Sequence, residues 1–300
     1  MAQVPATPKS HRAMMRLSAA LFGHAATQGR AKAESERAAL ALRALPMPTG
    51  RRETVTFLIP LVGPGPVKDW QAVTDRLQAT LLSFLAQDNP NWRAVICCQE
   101  RPPLPDDPRI SYLPFDDPTP GNDKWRKLAA LCDHLSQMEL PLGYVMSFDA
   151  DDLLRQGAVS EMLTRQAPGG YLVESGFVMD HATGAYALAG PRSFAKPMRK
   201  PFWKLCGSCA AVVHDPSQPE SAAFLKAMTA HEHRMFPYLA ALATRALSPL
   251  ARPSVLYVLN HGENFGARRG RVGFKTRFVE RFRVTDEATL SAIADEFPPV

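Results

Sequence analysis

The 300-residue chain contains no apolar run that approaches the ~20 residues needed to cross a bilayer. Its N-terminus is polar, and the stretch 13–26 is interrupted by Arg16 and His24, so the apolar core of a signal peptide is missing. Aromatic residues are not interleaved with basic ones in the pattern of a nucleic-acid platform. We therefore expect a soluble, cytoplasmic protein that binds no nucleic acid.

The cysteines do not form the pattern of a disulfide framework. Their number is odd and two of them are adjacent, which favours reduced thiols. Cys206 and Cys209 have the spacing of a redox pair or of half a zinc site, but no second CxxC completes four zinc ligands. We expect packing roles for all five: Cys97, Cys98, Cys132, Cys206 and Cys209.

What is present is a large apolar fraction and a moderate positive charge. With 46% apolar residues, the chain can bury a sizeable core in one large or two small domains. The net charge of +6 suits anionic substrates or a weak attraction to anionic surfaces.

Residues 1–50 differ in composition from the remainder and predict a helical N-terminal arm. Positions 11–44 are rich in Ala, Leu, Arg and Glu, and the segment 46–50 (PMPTG) ends the arm. Its apolar residues could dock on the body, on a second subunit of a homodimer, or peripherally on the inner face of a membrane. Docking on the body is the favoured expectation, and the residues concerned are Met14, Leu17, Leu21 and Phe22.

From Glu53 onwards, short apolar segments alternate with amphipathic ones. Such alternation predicts a largely parallel sheet with helices on its faces and ligands beyond the carboxyl ends of the strands. The predicted strands are 55–61, 92–98, 110–113, 144–148, 170–179, 185–188, 209–214 and 254–259. The predicted helices are 69–86, 124–138 and one or two within 220–247.

Three carboxylates, Asp149, Asp151 and Asp152, follow the predicted strand 144–148. Residues two apart share a face of a strand, and clustered carboxylates repel one another and are costly to bury unless a cation lies among them. A hard divalent ion that carries a phosphate fits such a cluster. The structural alternative is that Asp152 caps a helix over 153–165.

Several segments together resemble a GT-A glycosyltransferase of the family 2 type. Within residues 53–165 they are VTFLIPL, SFLAQDNPNWRAVICCQE, GNDKWRKLAAL and FDADD; further on, WKLCGSCAAVVH, AHEHRMFP and LYVLNHGENFG are similar to the acceptor half. The resemblance implies an α/β GT-A fold with a mixed, mainly parallel, Rossmann-like sheet. It divides the chain into the arm 1–50, a nucleotide-sugar-binding half 51–165, an acceptor-binding half 166–275 and a C-terminal tail 276–300.

The resemblance also implies the donor site. Asp149 and Asp151 would hold Mn²⁺ or Mg²⁺ against the diphosphate of a UDP- or GDP-sugar, and Pro60 and Leu61 would meet the nucleotide. Glu100 stands where many members place an Asp that binds the base or ribose.

Two further positions belong to the implied donor site. Asp123 and Lys124 would lie against the uridine and diphosphate, although Lys124 could instead be an exposed lysine at a helix start. His261, after the last apolar strand and before Gly262 and Gly266, would be a further metal ligand or else a hydrogen-bonded turn residue.

The implied catalytic base is Glu232, in the segment His231-Glu232-His233-Arg234. It would deprotonate the acceptor hydroxyl, with His231 or His233 orienting it; the alternative is that Glu232 only pairs with Arg234. Basic residues between 268 and 283 form a solvated helix face, a loop closing on the diphosphate, or a contact to an anionic acceptor or membrane. Two tryptophans could stack on a sugar or pack in the core, Trp125 and Trp203.

The resemblance therefore implies a metal-dependent glycosyltransferase that inverts the anomeric carbon, with retention as the alternative if Glu232 is not the base. It would act on a hydroxyl of a saccharide or lipid-linked acceptor in surface polysaccharide or glycoconjugate synthesis. The leading alternative is a catalytically silent GT-A-like protein that binds a sugar or a partner. A phosphohydrolase with an aspartate nucleophile and a nucleotidyltransferase fit less well, because the acidic motif is not on the first strand and that strand lacks a Gly-rich basic loop.

Overall fold

A computed structural model describes residues 3–262 and 272–299. The strands are β1 (Thr54–Pro60), β2 (Trp92–Cys98), β3 (Ile110–Pro114), β4 (Gly143–Ser147), β5 (Asp152–Leu154), β6 (Gly170–Leu172), β7 (Gly176–Asp180), β8 (Ala185–Ala189), β9 (Ala210–His214), β10 (Ser248–Pro249) and β11 (Val255–Leu259). The helices are α1 (Lys9–Gln28), α2 (Glu34–Arg43), α3 (Trp70–Leu85), α4 (Lys124–Leu135), α5 (Ala158–Arg165), α6 (Pro219–Thr229), α7 (Phe236–Leu242), α8 (Val272–Arg281) and α9 (Glu287–Glu296).

The larger sheet is mixed, and over the described residues its seven strands have the order β10-β6-β9-β4-β1-β2-β3. Strands β3, β2, β1 and β4 are parallel neighbours, whereas β9 is antiparallel to both β4 and β6. The fold is therefore α/β with a mixed sheet, compatible with a Rossmann-like arrangement, as the alternation of strands and helices predicted.

The centre of this sheet is apolar on both faces. Every residue of β1 is buried, which explains why its sequence is a continuous apolar and β-branched run without alternation. On one face, Phe57 stacks on Phe84 of α3 with ring centroids 4.2 Å apart, and Phe148 meets both rings edge-on. These aromatic contacts fix α3 against β1 and the end of β4.

A smaller sheet has the order β5-β11-β7-β8 among the described residues. Strand β11 runs antiparallel to β5 and parallel to β7. Helix α9 packs on it through Ile293, and the following Phe297 contacts Phe177 edge-on. Because β5 begins only five residues after β4 ends, the two sheets meet at the acidic triplet.

One predicted strand is in fact two. The run 170–179 divides into β6 in the larger sheet and β7 in the smaller one, with residues 173–175 crossing between them. At Gly176 a Cβ atom would lie 2.4 Å from the Phe202 ring, so this crossing brings the backbone close to a buried aromatic side chain.

The C-terminal boundary expected at residue 276 falls inside α8, whose Phe278 and Val279 are buried.

The N-terminal helices pack on the body, but not through the predicted face: Met14, Leu17, Leu21 and Phe22 are exposed, and α1 buries Met15 and Ala19 instead. Helix α2 lies against α6 and α7, and α1 lies against α2 and α7. Within this contact the fully buried Glu36 carboxylate accepts hydrogen bonds from His11 Nε2 at 2.9 Å and from the Tyr238 hydroxyl at 2.9 Å. None of the described helices has the length and apolar character that a membrane span requires.

Glu36 should stabilise the packed N-terminal helices through its charge. Burial opposes that charge, but hydrogen bonds from His11, Tyr238 and the Lys32 amide outweigh it and lower the pKa of Glu36. A lowered pKa adds stability above the ordinary pKa of a carboxyl group, and that stability is lost as the pH falls through the folded value.

We expect Glu36→Gln to lower the free energy of unfolding by roughly 1.5–3 kcal/mol at neutral pH. The deficit should shrink towards about pH 3 in urea titrations. Glu34→Gln, on the exposed side of the same helix, is the matched control and should change little. A Glu36→Gln deficit that stays constant with pH would show that the carboxylate charge is not its source.

Candidate functional site

The site lies where the order of strands along the chain reverses. From β1 the chain moves through β2 to β3 at one edge and then returns to β4 on the other side of β1. In open α/β sheets, ligands bind beyond the carboxyl ends of the strands at such a point. Pro60 and Leu61 stand at the end of β1, and Phe148, whose amide donates to the Leu58 carbonyl at 2.9 Å, leads from β4 into the acidic triplet.

The three carboxylates converge. One oxygen from each of Asp149, Asp151 and Asp152 lies within 4.8 Å of the others. Asp149 and Asp151 are half-buried, whereas Asp152 is fully buried. Ser208 links two of them, because its hydroxyl accepts from the Asp149 amide at 2.8 Å and donates to Asp152 Oδ2 at 2.5 Å.

Asp152 is the most constrained member. Its Oδ2 also accepts from Cys206 Sγ at 3.0 Å, whereas its Oδ1 has no hydrogen-bond partner among the described residues. Burial, together with the charges of Asp151 and Asp149, raises its pKa well above the ordinary value. Asp152 begins β5, and α5 starts only at Ala158, so the alternative in which it caps a helix over 153–165 is wrong.

Two basic side chains lie against the outer carboxylates. Lys124, the first residue of α4, places Nζ 2.6 Å from Asp149 Oδ1, and His261 places Nε2 2.8 Å from Asp151 Oδ2. Burial opposes the charge on Lys124, but the carboxylates outweigh it and raise its pKa. Burial likewise opposes the charge on Asp151, but the hydrogen bond and charge of His261, with Lys124, lower its pKa.

The cluster can accommodate a cation. Its donors are carboxylate oxygens with one imidazole nitrogen beside them, a set that suits Mg²⁺ or Mn²⁺. The Asp152 Oδ1 atom is a buried acceptor with no donor in the part of the chain that the structure describes, and a bound cation would satisfy it. To bind Asp149 Oδ1, that cation must displace the ammonium group of Lys124 or bind beside it.

A second lysine near the triplet is not evident from the pattern of the sequence. Lys275 Nζ donates to the Tyr257 hydroxyl at 2.6 Å, and Tyr257 pairs with Asp152 between β11 and β5. Burial lowers the pKa of Lys275, and the three aspartates partly offset this. The sequence signal was only its membership of a basic run; Arg268, Arg269, Arg271 and Gly266 lie outside the described residues.

Just before α4, the half-buried Asp123 belongs to a polar network rather than standing free for a ligand. Its Oδ2 accepts from Lys127 Nζ at 2.8 Å and from Gln99 Nε2 at 2.6 Å. The fully buried Lys127 also donates to the Leu61 carbonyl at 2.6 Å. Lys127 and Gln99 went unnoticed in the sequence, although the Asp123–Lys127 spacing of four on a helix was a signal. Glu100 is exposed just after β2.

The segment with the candidate base divides into three environments. His231 is buried and its Nε2 lies 2.7 Å from the Ser35 hydroxyl of α2, a structural contact to the N-terminal helices. Glu232 pairs with Arg234 at 2.6 Å on the surface. His233 Nε2 is buried with no partner among the described residues; burial lowers the pKa of His233 to about 4, and the nearby charges include Asp149 and Lys124.

The two tryptophans and the cysteines other than Cys206 pack in or against the core, whereas Cys206 also hydrogen-bonds Asp152. Trp125 is buried, and the half-buried Trp203 ring lies 4.9 Å from Lys204 Nζ. All five cysteines are buried free thiols. Burial raises the pKa of Cys97 and of Cys132 to about 12, so both stay protonated at neutral pH.

Comparison with known proteins gives no assignment. No model of a protein family matches the chain. No curated protein matches it either. The chemistry of the site therefore has to be argued from its own residues.

Asp152→Asn should stabilise the protein when metal is chelated. Because the pKa of Asp152 is raised, its stabilising contribution is present below the ordinary pKa of a carboxyl group and is lost as the pH rises. At neutral pH, with EDTA, we expect a free energy of unfolding higher by roughly 1–3 kcal/mol, and little difference near pH 3.

With added Mn²⁺ the wild type should become more stable than Asp152→Asn, because the metal stabilises the wild type more than the variant by mass action. Asp106→Asn, at an exposed carboxylate, is the control and should match the wild type with and without metal. If Asp152→Asn is less stable than the wild type in EDTA, the electrostatic description of the cluster is wrong.

Proposed function

We propose that the chain is a metal-dependent glycosyltransferase of the GT-A type that moves a sugar from a UDP- or GDP-sugar to a hydroxyl acceptor. One observation carries the proposal: three carboxylates converge beyond β4 at the reversal of strand order, and one of them keeps a buried oxygen to which no described residue donates. The mixed sheet is compatible with that fold, and the segments quoted above from 53–165 supply its order of elements.

In this proposal Asp149 and Asp151 hold Mn²⁺ or Mg²⁺, with Asp152 behind them and His261 at the side of Asp151. When bound, the metal would act as a Lewis acid that neutralises charge on the departing nucleoside diphosphate. Lys124, displaced from Asp149, is then free to pair with a phosphate oxygen over the same short range. Pro60 and Leu61 would border the nucleotide, and Asp123 would act through the network with Lys127 and Gln99.

Glu232 is the proposed general base, because its carboxylate lies at the surface, where an acceptor hydroxyl can reach it. Deprotonation of the acceptor opposite the departing diphosphate would give inversion at the anomeric carbon. His233 is a second candidate, since its Nε2 is buried without a partner among the described residues and the charges of Asp149 and Lys124 act on its ring.

Two ion pairs support the alternative of a catalytically silent binding protein. Lys124 pairs with Asp149, and Arg234 pairs with Glu232, so both carboxylates already have a cationic partner. In such a protein these ion pairs would be permanent, and a sugar or partner would bind without a metal.

Binding of UDP and GDP should separate these two functions. With Mn²⁺ present we expect calorimetry to detect binding of one of them, and EDTA to abolish it. Asp151→Asn should weaken it by at least roughly 10–100-fold, because the variant loses a ligand and the partner of His261. Asp106→Asn should bind as the wild type does. Nucleotide binding that survives both EDTA and Asp151→Asn would overturn the metal site.

Slow hydrolysis of the bound sugar nucleotide, with water as acceptor, should identify the base. We expect Glu232→Gln to lower that rate by roughly 10²–10⁴-fold with nucleotide affinity unchanged. His233→Gln should have a much smaller effect. The reverse order of effects would assign the base to His233, and hydrolysis that neither variant slows would exclude both residues.

A further inference from the structure

The outer face of α1 is apolar and exposed. Leu17 and Leu21 are 61% and 65% exposed, and Met14 is 43% exposed. Spacings of three and four residues place these three side chains on one side of the helix, while Met15 and Ala19 are buried on the other. Burying one apolar face therefore leaves a second apolar face in contact with solvent.

A second exposed apolar feature lies in the segment 190–200, between β8 and the 3₁₀ helix Phe202–Lys204. Phe194 is fully exposed and Met198 more than half exposed. Phe274 of α8 is also exposed, and Lys200 Nζ lies 3.9 Å from its ring centroid. Protruding apolar side chains next to lysines are typical of surfaces that enter the boundary of a bilayer.

A cationic cluster connects these two features: Lys9, Arg192, Lys200, Lys204 and Arg234. Lys9 is the first residue of α1, which packs on α7, and Arg234 lies in the 3₁₀ turn His233–Met235 that leads into α7. Lys204 ends the 3₁₀ helix Phe202–Lys204, which packs on that turn and follows the segment that contains Arg192 and Lys200. Burial and these like charges lower the pKa of Lys204, and burial with Arg192 and Arg234 lowers the pKa of Lys200. Among the described residues only Arg234 of this cluster forms an ion pair, with Glu232.

The net charge of α1 is also positive. Its twenty residues include Lys9, Arg12 and Arg16 but no Asp or Glu. Positive charge beside exposed apolar side chains is complementary to an anionic lipid surface, which attracts cations and accepts apolar groups below the headgroups. A nucleic acid would use the charges but leave Leu17, Leu21 and Phe194 without a partner.

We propose that the outer face of α1, the segment 190–200 and the cationic cluster form one docking surface for an anionic lipid bilayer. The surface binds peripherally: the cluster attracts the headgroups, and Leu17, Leu21 and Phe194 enter the boundary between headgroups and acyl chains. This docking does not depend on the glycosyltransferase proposal. If both hold, Arg234 and the neighbouring Glu232 and His233 place the acceptor side of the site at the membrane, which suits a lipid-linked acceptor.

Sedimentation with vesicles tests the proposal on the full chain. We expect binding to vesicles of phosphatidylcholine with phosphatidylglycerol and little binding to phosphatidylcholine alone. Binding should fall strongly between about 0.1 M and 1 M salt, over which the screening length drops from about 10 Å to about 3 Å. Equal binding to both kinds of vesicle, or none to either, would overturn the proposal.

Two pairs of variants locate the surface. The double variant Leu17→Ser, Leu21→Ser should lower the partition coefficient at least roughly tenfold, whereas Leu82→Ser, at a leucine of α3 that is 51% exposed, should not. The double variant Arg192→Glu, Lys200→Glu should lower the partition coefficient more than the two serine substitutions do and should remove most of its salt dependence. Arg93→Glu, at an exposed residue near the start of β2, should change neither.

All of these substitutions are at exposed or half-exposed positions, so the melting temperatures of the variants should stay close to that of the wild type. This measurement distinguishes weaker lipid binding from unfolding of the protein. A dimer in solution that the two α1 serines dissociate, without any vesicle binding, would assign the α1 face to a second copy and overturn the lipid proposal. Nucleotide binding, measured on the same variants, reports on the proposed catalytic function separately.

Discussion

The charge balance beyond β4 is the constraint on which the rest of the site depends. Three carboxylates lie within 4.8 Å of one another, and the protein supplies Lys124 and His261 against two of them. Of the described side chains, only a hydroxyl and a thiol donate hydrogen bonds to the fully buried Asp152. Carboxylates at such short range disfavour one another's ionised forms, so a bound cation or a proton is needed to complete the balance.

The two sheets meet at this cluster, and each supplies part of it. Asp149 follows β4 of the larger sheet, whereas Asp152 begins β5 of the smaller sheet and His261 follows β11 of that sheet. Ser208, just before β9, connects the two aspartates through one hydroxyl. A change in how the sheets pack would therefore separate the ligands, which couples the geometry of the site to the stability of the whole fold.

Much of the architecture from β1 to β4 could be predicted because it depends on local patterns. Strands β1, β2 and β4 are continuous apolar runs, and α3 and α4 have a clear helical period, so their positions agree with prediction to within three residues at either end. The division of 170–179 between β6 and β7 could not be predicted, because an apolar run does not say which sheet each half joins. The placement of α8 and α9 against the smaller sheet was missed for a similar reason: their buried faces are short.

The sequence by itself determined the α/β class, the order of elements from β1 to β4 and the presence of three acidic side chains after an apolar strand, because these depend on neighbours along the chain. Only the tertiary structure decided which groups face those acids. Lys124 and His261 are 25 and 110 residues from their carboxylate partners. It also decided that Asp152 is buried, with one oxygen that receives no hydrogen bond from residues 3–262 or 272–299. Burial and charge pairing are set by packing between distant segments, and no local pattern of residues encodes them.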